Sequence, residues 1–142
     1  MLHILVLCTG NSTRSQMAHG YLQRFAGDRA AVYSAGVETH GLNPRAVQTM
    51  ADDGIDISHH TSNHVDEYAH LPFDYVITVC DSAAERCPVW IGQTNRLHHN
   101  FEDPSKVTGP DEASVMANYA RIRDQIKAFS EAFVTRVASD KD

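Results

Sequence analysis

The sequence predicts an α/β three-layer sandwich, with a central, mainly four-stranded parallel sheet flanked by helices. Three observations lead there. The nearly continuous apolar runs at residues 2–7 and 73–79 suit strands buried on both faces, the habit of parallel sheets. Segments of helical periodicity alternate with the strands, which implies right-handed crossovers and helices on both faces of the sheet. The length of 142 residues is that of one ordinary domain with a real core, so residues 1–142 are expected to form a single domain.

Taken in order, Leu2-His-Ile-Leu-Val-Leu7 is the first strand, and Met17, Ala18, Tyr21, Leu22 and Phe25 then recur at helical spacing up to Gly27. Ala31 to Ala35 reads as a second strand closed by Gly36. Asn43-Pro44 is a cap followed by proline at the first helical position, opening a helix that runs through Val47 and Met50 to a stop at Gly54. Ile55 to Ser58 reads as a short extended segment and Asn63 to His70 as a brief helix. Phe73 to Val79 is another buried strand, with Cys80 at its C-terminal end, followed by one or two helical turns over Asp81 to Arg86. Asn95 to His99 is a last short strand. From Ala113 onward Val115, Tyr119, Ile122, Ile126, Phe129, Phe133 and Val137 step by three or four, the clearest amphipathic helix in the chain, ending in a frayed charged tail from Ser139 to Asp142. The charged faces of that helix (Arg121, Arg123, Asp124, Lys127) are expected to be solvated.

Composition narrows the function. An apolar fraction of 42% and a charged fraction of 21% are those of a soluble globular protein. No apolar run approaches a membrane span, and with the first strand starting at residue 2 none resembles a signal peptide, so a cytoplasmic location and no membrane partner are expected. The formal charge of −6 argues against nucleic acid as a partner. Three cysteines do not suit a secreted disulfide scaffold and point to catalysis or metal binding in a reducing compartment.

The chemistry concentrates in Cys8-Thr9-Gly10-Asn11-Ser12-Thr13-Arg14-Ser15, a tight loop between the first strand and a helix start. Inward-pointing amides of Thr9 to Thr13 and the partial positive charge of the helix end make a cradle for a tetrahedral oxyanion. Cys8 on its floor has its thiolate favoured by the amides, the helix end and Arg14. The Arg14 fork suits two oxygens of a bound anion. Gly10 and Asn11 tolerate positive φ, and the Ser15 hydroxyl is placed to hydrogen-bond the thiolate.

Cys80 and Cys87 form a second constellation, separated by six residues that read as a short helix. Ligands of such sheets bind beyond the carboxyl ends of the strands, where Cys8 and Cys80 both lie, so the two sulfurs share one mouth if their strands are near neighbours. A regular helix between Cys80 and Cys87 holds their Cα atoms beyond the roughly 4.4–6.8 Å that a disulfide needs, so bridging requires the helix to unwind or loop out. Two buried structural cysteines, or half of a metal site, are the other readings of the pair. Nine histidines, with the pairs His59-His60 and His98-His99, raise metal binding, but no Cys/His spacing matches a zinc knuckle or finger. Adjacent histidines on a strand point to opposite faces, so a histidine-rich surface and no metal site are expected.

At these residues the sequence resembles the thioredoxin-coupled arsenate reductases, which share the fold of the low-molecular-weight protein tyrosine phosphatases. The resemblance rests on Cys8 to Ala18, Tyr33-Ser-Ala-Gly36-x-Glu38-Thr-His-Gly41, Asn43-Pro44, Cys80-x6-Cys87-Pro88 and Asp103-Pro104, and runs nearly end to end. It implies that Cys8 attacks arsenate held by the loop amides and Arg14 while Asp103 acts as general acid. Cys80 and then Cys87 would carry the oxidising equivalents to a thioredoxin, with a glutathione and glutaredoxin route as the alternative donor. It implies no cofactor, and a monomer is expected. Some members bind potassium through Asn, Glu, Ser and Asp side chains. Asn11 and Ser34 match, but His19 and Asn63 replace the carboxylates, so no strong potassium site is expected. The rival reading is a tyrosine phosphatase using Cys8, Arg14 and Asp103. Against it, Cys80 and Cys87 would be superfluous, Gln16 stands where those phosphatases usually have proline, and Ser105 where they often have an aromatic residue.

Overall fold

The computed structural model describes residues 1–80, 94–106 and 109–139. Strand β1 (Leu2–Cys8) is followed by α1 (Arg14–Ala26), β2 (Ala30–Gly36), α2 (Pro44–Ala51), β3 (Tyr75–Thr78), β4 (Asn95–His98) and α3 (Glu112–Ser139). Short 3-10 turns lie at Gly27–Arg29, Val65–Tyr68 and Pro104–Lys106. The strands form one parallel four-stranded sheet in the order β2-β1-β3-β4. The predicted turns over Asp81 to Arg86 lie outside the described residues, as do Cys87 and the end of the charged tail.

Ile4, Leu5, Val6 and Leu7 are all fully buried, as an apolar run in a central strand requires. Alternation sends Ile4, Val6 and Cys8 into the larger core, where they meet Met17, Tyr21 and Leu22 of α1, Met50 of α2, and Tyr119, Ile122 and Ile126 of α3. Leu5 and Leu7 enter a smaller cluster with Ala35, Phe73 and Val76, closed by Val65 and Tyr68 of the 3-10 turn. Among the described residues, three helices pack on one face, and the Val65–Tyr68 turn with aromatic side chains packs on the other.

Element boundaries differ from the sequence expectations at a few places. β3 is shorter than residues 73–79, although Asp74 N donates to His3 O (2.8 Å) and Val79 N to Leu7 O (3.0 Å), so the backbone pairing continues at both ends. Ile55 to Ser58 is irregular: Ile57 is buried in the larger core and anchors a loop, and Asp56 caps Ser58 through a 2.8 Å bond to its N–H. Asn43 caps α2 as read, its side chain accepting from Arg45 N at 2.8 Å. The charged face of α3 is only partly solvated. Arg123 reaches across to donate to Thr49 O (3.1 Å) on α2, and Lys127 pairs with Asp53 (2.9 Å).

This topology sets the position of the site. From β1 the chain moves to β2 on one side and returns to β3 on the other, so the C-terminal end of β1 is a topological switch point. Leu7 pairs with Thr78, which places Cys8 at the end of β1 and Cys80 two residues past the end of neighbouring β3. Both cysteines join the larger core cluster.

Candidate active site

Between β1 and α1 the loop closes around a cavity of about 230 Å³, lined by Cys8, Thr9, Gly10, Ser12, Thr13, Arg14, Glu38, His40, Asp103, Ser105 and Lys106. That is below the roughly 300–1,000 Å³ of sites for drug-sized ligands and suits a small anion. Helix α1 starts with no side-chain cap and no acidic residue in its first turn. Its positive dipole end therefore faces the loop with no side-chain cap or carboxylate of its own first turn to offset it.

Arg14 is almost fully buried, yet its charge is held in place. Nη1 donates to the carbonyl of Phe101 (3.1 Å), and Nη2 faces Asp103 Oδ2 at 3.5 Å. Phe101 is itself locked in the core against His99 and Phe129. Asp103 caps the Pro104–Lys106 turn, its Oδ1 accepting from Ser105 N (2.9 Å) and Ser105 Oγ (2.7 Å). Aspartate before proline is a favoured helix start, and here it leaves Oδ2 to the cavity side. Ser105 thus serves to fix the carboxylate.

Cys8 carries a free thiol, with Ser15 Oγ 3.0 Å from its sulfur. Asn11 is fully buried and adopts a left-handed φ of 47°, as its residue type allows. Its Nδ2 donates to Ser15 Oγ (2.8 Å) and its Oδ1 accepts from Asn63 N (2.7 Å). Gly10 is needed for a different reason than the one expected. A Cβ there would come within 2.3 Å of the His40 ring, so glycine permits a close approach and not a positive φ. His40 N donates to Gly10 O and Glu38 N to Thr9 O, both at 3.0 Å, which straps residues 38–40 along the loop. Their side chains pair at the cavity rim, His40 Nε2 to Glu38 Oε2 at 2.6 Å. Cys80 is fully buried and disulfide-bonded.

Cys8, Thr9, Gly10, Ser12, Thr13, Arg14 and Asp103 therefore line one cavity. Asn11 and Ser15 are fully buried outside its lining, Ser15 reaching it only through the Cys8 sulfur, and Cys80 lies just past the adjoining strand. Sequence reasoning missed Glu38, His40 and the Phe101 carbonyl. Glu38 and His40 belong to a recognised motif, whereas a backbone carbonyl leaves no mark in the residue alphabet.

His60, expected at a histidine-rich surface, and His19, expected beside the loop in place of a potassium ligand, are packed together behind the loop. His19 sits with Nδ1 2.9 Å from Ser34 Oγ and stacks on His60 at 4.3 Å. His59 and His60 lie on a turn, not a strand, and their rings meet edge to face at 4.8 Å. Burial, then His60 and His59, push His19 down to about 3, against a weaker upward pull from a hydrogen bond with the Val32 backbone. An imidazole there is neutral at pH 7. The potassium ligands of some relatives would map to Asn11, His19, Ser34 and Asn63, and these do not fit a cation. Asn11 Oδ1 is occupied by an N–H, Ser34 is engaged with His19, and no carboxylate is present. Among the described residues no group of three or more His, Cys, Asp or Glu is placed to hold a metal ion, and no helix is long and apolar enough to cross a membrane.

A parallel sheet with a cysteine–arginine oxyanion loop at its switch point and an aspartate facing the arginine defines a class of enzymes that form covalent thiol intermediates with tetrahedral oxyanions. Residues 3–142 match the family model of the low molecular weight phosphotyrosine protein phosphatases, and the chain belongs to that family. It is 46% identical over 132 residues to an arsenate reductase of Halalkalibacterium halodurans, covering 90% of this chain and 94% of that protein. Among solved structures it resembles an arsenate reductase in the phosphate binding state, with a TM-score of 0.81, 29% identity, and coverage of 96% of this chain and 98% of the other. An arsenate reductase in the oxidized state aligns equally well, with a TM-score of 0.81, 28% identity, and coverage of 96% and 99%.

Proposed function

We propose that this protein reduces arsenate to arsenite by a thiol relay running from Cys8 to Cys80 to Cys87, and that a thioredoxin reduces the resulting disulfide. The observation that carries the reading is the pairing of a free Cys8 thiol in an oxyanion loop with a disulfide-bonded Cys80 at the end of the neighbouring strand. The reactive loop alone serves a phosphatase as well. A redox-active cysteine beside it is what a reductase needs. Relatives named arsenate reductase at 46% identity support the same choice.

In this mechanism the loop amides and Arg14 hold the arsenate oxygens while the Cys8 thiolate attacks arsenic. A sulfur–arsenic bond forms, an arsenic–oxygen bond breaks, and Asp103 gives its proton to the departing oxygen, which leaves as water. The Cys80 thiolate then attacks the Cys8 sulfur. The sulfur–arsenic bond breaks with its electron pair left on arsenic, so arsenite departs and a Cys8–Cys80 disulfide remains. Attack by the Cys87 thiolate on Cys80 moves the disulfide to Cys80–Cys87 and restores the Cys8 thiolate. A thioredoxin dithiol supplies the two electrons that close the cycle, and glutathione with glutaredoxin is the alternative donor. Cys87 lies outside the described residues, and its role rests on the resemblance of the Cys80-x6-Cys87-Pro88 segment. The setting is taken to be a single cytoplasmic domain acting as a monomer in arsenic detoxification.

The test is arsenate-dependent NADPH oxidation with thioredoxin and thioredoxin reductase. Turnover with this pair supports the relay, and turnover only with glutathione and glutaredoxin reassigns the donor. Absence of both alongside brisk aryl phosphate hydrolysis would favour the phosphatase reading, which family membership and the Cys8–Arg14–Asp103 set keep in view. Asp103→Asn is expected to slow single-turnover arsenite formation by about 100-fold, the usual range for losing a general acid. Reduction of the oxidised protein by thioredoxin should be unaffected. Full single-turnover rates in that variant would remove Asp103 from the proton-transfer role.

A further inference from the structure

Behind the loop, on the side away from the cavity, lies a polar assembly that the relay does not use. Gln16 is fully buried, and its Nε2 donates to two backbone carbonyls, Asn11 O (3.1 Å) and Thr61 O (3.0 Å). Those carbonyls can only accept, so they fix which way the amide faces and turn Oε1 toward His60. Because Oε1 only accepts, His60 Nδ1, 3.0 Å away, must carry the hydrogen. The ring of His60 is held in turn by its stack on His19.

The same logic continues toward the sulfur. The Asn63 N–H fixes Asn11 Oδ1 as the acceptor, so Asn11 Nδ2 is the atom that donates to Ser15 Oγ. With its oxygen occupied as an acceptor, the Ser15 hydroxyl has its own hydrogen left for the Cys8 sulfur when that sulfur is ionised. Asn11 keeps its left-handed backbone while its carbonyl is gripped by Gln16. The senses from His60 to the Ser15 oxygen are thus assigned by backbone groups that cannot reverse, and only the last bond, between Ser15 and Cys8, changes sense when the sulfur ionises.

We propose that Gln16 and His60 are positioning residues for the Cys8 thiolate: Gln16 clamps the Asn11 carbonyl, His60 orients Gln16, and Asn11 thereby turns the Ser15 hydroxyl hydrogen onto the sulfur. This rests on the reading of Cys8 as the nucleophile of an oxyanion site. Of the charged and titratable groups that line the cavity, Arg14 shares helix α1 with Gln16, while Asp103, Glu38, His40 and Lys106 come from other segments; changing Gln16 or His60 replaces none of them.

The experiment measures Cys8 alkylation by iodoacetamide at pH 7 in the full chain, located by peptide mass spectrometry, with inorganic phosphate as the protecting anion. Loss of one hydrogen bond to a charged sulfur is expected to slow alkylation about tenfold in Gln16→Met and in His60→Leu. Phosphate protection should change less than about twofold, because the loop amides and Arg14 bind the anion. In arsenate turnover the same variants should lose kcat and keep KM. His60→Asn, whose amide nitrogen stands near the place of the imidazole Nδ1, should restore most of the alkylation rate. A role in packing alone would give no such rescue, and equal behaviour of the leucine and asparagine variants would overturn the proposal. Alkylation that phosphate does not slow in the unaltered protein would overturn the oxyanion-site reading of Cys8, and the proposal with it.

Discussion

Cys8→Ser is expected to abolish both arsenate reduction and aryl phosphate hydrolysis, by at least about 10⁴-fold each, as removal of an enzyme's nucleophile does. Serine keeps the loop and its amides but replaces the sulfur nucleophile by a hydroxyl, a far weaker one. The anion should still bind, because Arg14 remains held by Phe101 O and faces Asp103, and the start of α1 remains uncapped. Loss of turnover with retained phosphate affinity is thus the signature. Cys80→Ser and Cys87→Ser should separate the two activities, ending NADPH-coupled turnover while sparing phosphate ester hydrolysis, since in the proposed relay Cys8 is the sulfur that attacks the oxyanion. Equal loss of both activities in either variant would contradict the division of labour among the sulfurs. The assays are the coupled thioredoxin reaction and hydrolysis of p-nitrophenyl phosphate, run on the same preparations.

The second large effect is a loss of stability in acid, carried by His19. Its folded-state value is depressed from 6.5 to about 3, by burial first and then by His60 and His59. Burial, followed by His59, also lowers His60, with Asp56 opposing. A depressed histidine binds its proton in the unfolded chain before it does so in the native one. Its penalty is therefore absent above the unfolded value of 6.5 and grows as pH falls from there toward 3. At pH 5 the cost is about 2 kcal/mol, rising to ~5 kcal/mol near pH 3, at 1.36 kcal/mol per unit. His19→Asn removes the titration while keeping a polar partner for Ser34. Its denaturant midpoint should lie below that of the unaltered protein at pH 7.5, through lost stacking on His60, and should fall less steeply between pH 6.5 and 4.5. Parallel pH profiles for the two proteins would show that His19 is not the group responsible. Surface ion pairs such as Arg45–Glu112 (2.8 Å, both partners about half or more exposed) contribute little to this window.

The two predictions draw on different kinds of information. Cys8, the loop amides, Arg14 and Ser15 lie within eight consecutive residues bounded by an apolar strand and a helix. Steric limits on a short strand–loop–helix connection leave few arrangements, so local order suffices to bring those groups together. The alternation of strands and helices likewise carried the parallel sheet, because right-handed crossovers leave few topologies. Asp103 was recognisable only through the likeness of Asp103-Pro104 to a family segment. Nothing in its spacing from Cys8 requires the two to meet.

What the chain alone did not settle is each choice made between groups far apart in sequence. The strand order put Cys8 beside Cys80, answering a condition that spacing left open. Eighty-seven residues separate Arg14 from the Phe101 carbonyl that aims it, and 44 separate Gln16 from His60. His60 was expected in a solvated histidine pair, because histidine has no preferred side of a fold, and His19 was placed beside the loop by resemblance with no sign of its partners. Their neutrality follows from burial and from each other, both properties of the packed chain. Gly10 shows the same division: its loop was legible, but the His40 ring that would have to move to admit a Cβ arrives from another segment. The sequence by itself determined the reactive loop, the sheet and the core, because these follow from short-range sterics and apolar periodicity. The tertiary structure alone decided which carbonyl, carboxylate and imidazole reach that loop, because hydrogen bonds and desolvation act through space over a few ångströms, whatever the separation along the chain.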